Sequence, residues 1–304
     1  MRKYMNLLII LFIALLGGAA GVFFKIAIEE IPPDLFTFLR FVVAYLAFIP
    51  FFIREKTAPL KERGKLIALS LLGTANVMFF IFGLQYTTST ISGMMYAAGP
   101  LIVAILSLFI IKEKISFSKW FGVILGFAGL VAILLAPGIG ADSVWDGSIL
   151  GNTMIGLAVV SFSLYAVLSK KFQNIYSPAT LTKYFVVVTV LVQSLFLILH
   201  IDESLSLIPG ISFKVWLIIL YAGILDTTLY YFLYQYILKK TSAILAAMVF
   251  YLQPLINIVL ARMILEEELT KIFIFGSVLI FLGITLVFRD KYLENPVGGS
   301  SFRG

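Results

Sequence analysis

Read for its apolar and polar positions, the chain is a series of long hydrophobic runs broken by short charged or turn-forming clusters. A helix crosses the hydrocarbon core of a bilayer in roughly 20 apolar residues. Ten runs of that kind fall at about 4–27, 35–53, 66–86, 88–111, 119–136, 150–169, 180–199, 214–236, 242–265 and 272–288. The breaks hold Glu29 to Asp34, Arg54 to Lys65, Lys112 to Lys114 and Pro137 to Gly147. Arg2 and Lys3 precede the first run as they would in a secretory signal. That run is too long for a signal core and lacks a clear cleavage site, so it reads as the first helix. The pattern predicts an all-α integral membrane protein of ten transmembrane helices. Five lie in 4–136, five in 150–288, and a short polar tail follows at 289–304.

The charges between the runs test this count. If the first helix starts in the cytoplasm, the 23 basic residues sort to one side. Lys25, Arg40, Lys214, Arg262 and Lys271 are the exceptions, while Lys183 lies just inside helix seven. Most acidic residues fall opposite. The positive-inside rule then places both termini in the cytoplasm of a multi-pass protein of the cell (inner or plasma) membrane. Composition agrees: 61% hydrophobic, 13% charged and a mean hydropathy of +1.05 cannot be hidden in one soluble core. The net charge of +7 therefore reports orientation rather than a nucleic-acid partner. Cysteine is absent and His200 is the one histidine, which removes disulfides, thiolate nucleophiles and His/Cys metal clusters. No metal, cofactor or catalytic residue is expected, and the chain does not read as an enzyme. Pro137-Gly138-Ile139-Gly140 lacks the third glycine and lysine of a nucleotide loop and reads as an external turn.

The two halves repeat. At an offset of 145, Lys25 meets Lys170 and Pro33 meets Pro178. At 150, Gly73 meets Gly223, Asn76 meets Asp226, and Gln85-Tyr86 meets Gln235-Tyr236. At 154, Pro100-Leu101-Ile102 meets Pro254-Leu255-Ile256, and Glu113, Gly122 and Gly129 meet Glu267, Gly276 and Gly283. The offset rises in two steps, each read as a small loop insertion. With five helices per half, the second repeat enters the membrane inverted. That is the architecture of alternating-access transporters, whose site lies near the midplane between the halves.

The stretch Tyr236-Ile-Leu-Lys-Lys-Thr-Ser-Ala-Ile-Leu-Ala-Ala-Met-Val-Phe-Tyr-Leu-Gln-Pro254, continuing to Glu267, Gly276 and Gly283, resembles the second EamA repeat of the drug/metabolite transporter superfamily. Tyr86 to Pro100, with Glu113, Gly122 and Gly129, resembles the first. Pro33 followed by Arg40-Phe41 is similar to that family's entry into helix two, and Phe185 stands where the second repeat would carry the arginine. The resemblance implies a ten-helix exporter of small metabolites, often amino acids, without an ATPase.

Counting about 1.5 Å per residue from the helix ends puts Asn76, Ser161, Asp226 and Gln253 near mid-depth. Asp226 is an acidic residue deep inside a span, where a charge costs a few kcal/mol. It is either a proton-binding or cation-recognising group or a structural carboxyl satisfied by neighbours. Asp226, Tyr230 and Tyr234 share a helix face, as do Asn76, Phe80 and Gly83, and Gln253 and Asn257. These groups suit a cavity for a small amphipathic solute; Tyr234 and Tyr236 suit an interfacial belt equally well. Pro100 and Pro254 free the carbonyls of Tyr96 and Phe250, as hinges or as tolerated kinks. Lys25, Glu29, Glu30, Asp34, Arg40, Arg262 and Glu266 to Glu268 gather at the outer ends, where snorkelling and surface pairing outweigh an ionic gate. Gly122, Gly126 and Gly129, with Gly276 and Gly283, mark close helix packing or a homodimer contact. Function then reads as a secondary transporter, exporter or facilitator, of amino acids or similar solutes, with the bilayer as its other partner. A sugar-phosphate or nucleotide-sugar transporter is disfavoured by the lack of a mid-depth base, although Lys25 and Arg40 could reach inward. A membrane-embedded lipid-handling enzyme is the reading from another class.

Overall fold

The computed structural model describes residues 2–53, 55, 58–111, 121–122, 124–129, 131–132, 147–199, 201–241, 243–247, 249–266 and 271–294. Among these, every regular element is helical. The first repeat contains α1 (Arg2–Glu30), α2 (Pro33–Phe52), α3 (Leu60–Gln85), α4 (Ser89–Tyr96) and α5 (Gly99–Ile111). In the second, α6 (Ile149–Phe172) and α7 (Pro178–Ile198) precede a short α8 (Ile201–Leu207). Then α9 (Phe213–Leu220) runs through a π-helical segment, Tyr221–Leu229, into α10 (Tyr230–Lys240). The chain continues through α11 (Ala243–Ala247), α12 (Val249–Ile264) and α13 (Lys271–Glu294). Seven of the described helical stretches are long and apolar enough to cross a membrane. Leu252–Ile264 and Ile274–Gly283 are apolar but shorter. The span expected at 119–136 is described only in part, helical wherever it is described, while Glu113, Glu267, Glu268 and His200 and most of the turn at 137–147 lie outside the described residues. α13 stays helical to Glu294, into the stretch read as the tail.

Hydroxyl caps start the helices. Thr88, Ser148, Ser177 and Ser212 accept from the backbone N–H of Ile91, Gly151, Thr180 and Val215, each worth about 1 kcal/mol. Lys25 and Lys170, matched in the sequence, do the same work at opposite ends of the bundle. Lys25 donates to the carbonyls of Leu84 (2.7 Å) and Thr87 (3.0 Å) at the end of α3. Lys170 donates to those of Leu238 (2.6 Å) and Thr241 (2.5 Å) at the end of α10. A cation at a helix C-terminus also opposes the helix dipole.

These contacts correct one reading of the repeat. A side chain on Gly73 would strike Phe185, which stands where the second repeat lacks Arg40, and Thr227, 154 residues beyond Gly73, is the group that meets Arg40. Thr74 likewise meets Thr189, and it is Thr228 that bonds the carbonyl of Ala44. The register is already 154 at that point, as the lysine caps confirm. The N-caps Pro59 and Ser212 are already 153 apart. The 150 matches of Gly73 with Gly223, Asn76 with Asp226 and Gln85-Tyr86 with Gln235-Tyr236 therefore do not hold, and only about one extra residue enters inside the helix. The wider π turn takes it up: Thr228 Oγ1 donates to the Gly223 carbonyl, five residues back, at 2.9 Å.

The packing follows the repeat. α3 lies on α6 and α7 as the helix through 213–240 lies on α1 and α2; α1 meets α12 as α6 meets α4 and α5. The glycine stripes are used within the chain. A Cβ on Gly129 would lie 2.5 Å from the Gly276 carbonyl oxygen, and one on Gly283 would strike Gly122 and Gly126. Small residues on both helices let the backbones touch, and that face is no longer offered to a second copy.

A candidate solute cavity between the repeats

A cavity with about 650 Å³ of atom-free space, mouth included, lies between the two repeats. One wall is bare backbone: Gly17, Gly18 and Gly21 of α1. A Cβ on Gly17 would overlap the Gln253 amide, so glycine is what lets α12 bring that side chain in.

Opposite stands an ion pair. Arg40 of α2 donates from Nη2 to Asp226 Oδ2 at 3.2 Å and from Nε to Thr227 Oγ1 at 2.8 Å. Its guanidinium lies over the Phe24 ring at 4.5 Å and against Phe41 at 5.1 Å, contacts that strengthen when water is excluded. Arg40 is 3% exposed and Asp226 6%. The pair is monodentate, which leaves Asp226 Oδ1 outside it. Both residues that hold Arg40 come from the π-helical segment, and their counterparts in the 154 register are the uncharged Leu72 and Gly73, of which Gly73 packs against Phe185. The pair therefore occurs once, and Phe185 occupies the place equivalent to Arg40.

Amides set the remaining polar groups. Asn76 Nδ2 donates to the Ala158 carbonyl (2.9 Å) and to the Tyr96 hydroxyl (2.5 Å). A carbonyl only accepts, so this fixes the Asn76 orientation and leaves the Tyr96 proton directed elsewhere. Gln253 Nε2 donates to the Tyr230 hydroxyl at 3.0 Å. Asn257 Nδ2 donates to Ser89 Oγ (3.0 Å) and the Gly18 carbonyl (3.3 Å). Its Oδ1 is buried without a partner among the described residues.

Aromatic rings close one end. Phe162, Tyr231 and Phe250 face the cavity, with Tyr165, Tyr234 and Phe185 fully buried behind them. Farther toward the Lys170 end, Gln235 donates to Tyr165 (2.7 Å) and Ser169 (3.1 Å) and accepts from Gln173 (2.6 Å).

Of the residues singled out in the sequence, Asn76, Phe80, Tyr96, Asp226, Tyr230, Gln253 and Asn257 all line the cavity. Ser161 does not. It is half-buried and one helical step from Phe162, which takes the inward position. Tyr234 belongs to no interfacial belt: it is fully buried, stacked 6.2 Å from Tyr230 and edge-on to Phe162. The chain is interrupted at 97–98, just before Pro100, and α12 begins at Val249, five residues before Pro254. Arg40 is the largest correction. Its place seven residues into α2 assigned it to the outer end, yet its long side chain reaches inward to Asp226. Two lone charges of opposite sign inside apolar spans were the signal for that pair. At the outer end, Lys25 caps α3 and Glu30 accepts from Ser212 N (2.6 Å) and Oγ (2.7 Å). Among the described residues, no cluster of three His, Cys, Asp or Glu could hold a metal ion.

Comparison with known proteins agrees with this geometry. The profile of the EamA-like transporter family matches residues 5–135 and 149–289. An uncharacterized transporter of Archaeoglobus fulgidus is 27% identical over 278 residues, covering 90% of this chain and 95% of that protein. The uncharacterized transporter YetK of Bacillus subtilis is 26% identical over 282 residues, covering 90% and 84%. A solved crystal structure superposes with a TM-score of 0.68 at 20% identity, covering 96% of this chain and 99% of that one, which shows a shared fold.

Proposed function

The chain belongs to the EamA-like transporter family, and from that premise we propose that it is a secondary transporter of small zwitterionic metabolites. Amino acids and similar amphipathic solutes are the class, moved by export or facilitated diffusion through alternating access. The observation that carries this reading is the single-contact Arg40–Asp226 pair on the cavity wall. A zwitterion can take the place of that pair at constant charge: its carboxylate meets Arg40, its ammonium meets Asp226, and neither protein charge is left bare. A solute with one charge would strand one of them, at a cost of several kcal/mol. The aromatic and glycine walls accept an apolar side group, and Asn76, Tyr96, Gln253 and Asn257 supply fixed polar contacts.

Ten helices in two inverted repeats, with both termini cytoplasmic in the cell membrane, complete the reading. The odd number of apolar runs per half, the matched capping lysines at opposite ends and the basic loops support it. Pro100, beside the interruption at 97–98, and Pro254, inside α12, serve as hinges. Asp226 is the acidic group on the cavity wall through which a proton couples flux to a pH gradient. A sugar-phosphate reading gains Arg40 as a cavity base, but Asp226 3.2 Å away opposes a phosphate there.

The test is flux. Vesicles reconstituted with the protein and loaded with a labelled panel of amino acids should release one or more in a saturable manner. Silence across the panel, with sugar phosphates moving instead, overturns the zwitterion reading.

A further inference from the structure

Tyr96 ends α4 on the cavity wall, directly before the interruption at 97–98. Its ring stands edge-on to Phe80 at 5.6 Å and lies 6.0 Å from Phe250 between centroids, which fixes where the hydroxyl sits. Asn76 fixes where its proton goes. The two N–H groups of Nδ2 are both engaged, one by the Ala158 carbonyl at 2.9 Å and one by the Tyr96 oxygen at 2.5 Å. The carbonyl never donates, so the amide cannot be turned round, and an amide nitrogen does not accept. The Tyr96 proton is therefore directed away from Asn76, and among the described residues no group accepts it. The hydroxyl lies within electrostatic reach of both Arg40 and Asp226. Arg40 itself engages two of its five N–H groups, with Thr227 and Asp226, and has others to offer. In the 154 register Phe250 stands where the first repeat has Tyr96, so this donor, like the ion pair, occurs once.

A donor with no protein acceptor on a cavity wall calls for an acceptor on the solute. An amino acid with an apolar side group has one such group, its carboxylate. We propose that Arg40 and the Tyr96 hydroxyl together hold the solute carboxylate, and that Asn76 is the positioning residue that keeps this hydroxyl aimed at the solute as a donor. A hydroxyl that already accepts an N–H is the better donor, because linked hydrogen bonds polarise one another. Its bond to a carboxylate is charge-assisted, while the hydroxyl itself adds no second buried charge. The assignment rests on the zwitterion reading and adds the neutral group that reads the carboxylate beside the arginine.

The test reads the half-saturation of labelled amino-acid exchange in reconstituted vesicles, together with inhibition by the matching amine, which lacks the carboxylate. Tyr96→Phe keeps the ring and removes the hydroxyl. It should raise half-saturation for the amino acid by about tenfold or more, the loss of one hydrogen bond to a charged group, and leave inhibition by the amine within about twofold of the parent. Asn76→Leu, which releases the Tyr96 hydroxyl from its direction, should also raise half-saturation. Combined with Tyr96→Phe it should add less than about twofold, because it acts through the group already removed. Where Asn76→Leu does not fold, Tyr96→Phe decides. Parental half-saturation in folded Tyr96→Phe, or an equal loss for amine and amino acid, overturns the carboxylate assignment. An Asn76→Leu loss as large in the Tyr96→Phe background as in the parent overturns the positioning role. Silence of the parent across the amino-acid panel is a separate result: it removes the zwitterion reading, and this assignment falls with it.

Discussion

Replacing Asp226 alone should be far more damaging than replacing Asp226 and Arg40 together. At 3.2 Å and an effective dielectric of about 20, the pair's attraction is roughly 5 kcal/mol. Most of that offsets the desolvation of two charges whose side chains are 4% and 9% exposed. Removing one partner leaves the other charge buried and unpaired, which costs about 3–5 kcal/mol. Arg40 keeps Thr227 and the Phe24 ring after Asp226→Asn, so that variant should fall at the low end of the range. Arg40→Met, which strands a carboxylate, should fall at the high end. The double variant Arg40→Met/Asp226→Leu replaces the pair by apolar groups of similar size and should return to within about 1 kcal/mol of the parent or exceed it. The assay is equilibrium unfolding in mixed micelles, run as a double-mutant cycle. Single variants within about 1 kcal/mol of the parent, as for an exposed pair, or a double variant as unstable as the sum of the singles, would refute the reasoning.

Three further outcomes are expected. Asp226→Asn should uncouple flux from a pH gradient while leaving counterflow measurable; gradient-driven uptake at the parental level would remove Asp226 from coupling. Gln235→Leu removes one hydrogen bond each from the buried Gln173 amide, which keeps its bond to the residue 235 carbonyl, and from Tyr165 and Ser169, and should cost about 1–3 kcal/mol, which the same unfolding assay reads. Gly129→Leu should destabilise by forcing apart the backbones that meet at Gly276, with no change in oligomeric state by light scattering; a shift from dimer to monomer would restore the dimer reading of these glycines.

Much of the cavity was legible because inverted repeats place equivalent residues around one axis. Asn76, Asp226, Gln253 and Asn257 are polar groups at mid-depth in apolar spans, and such groups have few places to go except a protein-lined space. What escaped was set by side-chain reach and helix phase. Arg40 is near a helix end by residue count and near the centre by its guanidinium. Ser161 was one residue from the inward position, a rotation of about 100° that counting along a span does not resolve. The matches of Asn76 with Asp226 and Gln85-Tyr86 with Gln235-Tyr236 at 150 misled because a sliding comparison pairs like residues without seeing which side chains occupy equivalent places. Gly17, Gly18 and Gly21 were passed over for a simpler reason: they are packing glycines that bring Gln253, Ile256 and Asn257 of α12 against α1, and only that close approach shows that they border the cavity.

The central claim is that a zwitterion replaces the Arg40–Asp226 pair, and one measurement addresses it directly. Vesicles are preloaded with an unlabelled amino acid, and counterflow of its labelled form is competed with the matching amine, lacking the carboxylate, and the matching acid, lacking the ammonium. The amino acid should compete at least about 100-fold better than either, because each single-charge analogue leaves one buried protein charge unpaired. Equal competition by the amine or the acid would contradict the account, since one member of the pair would then have no part in holding the solute.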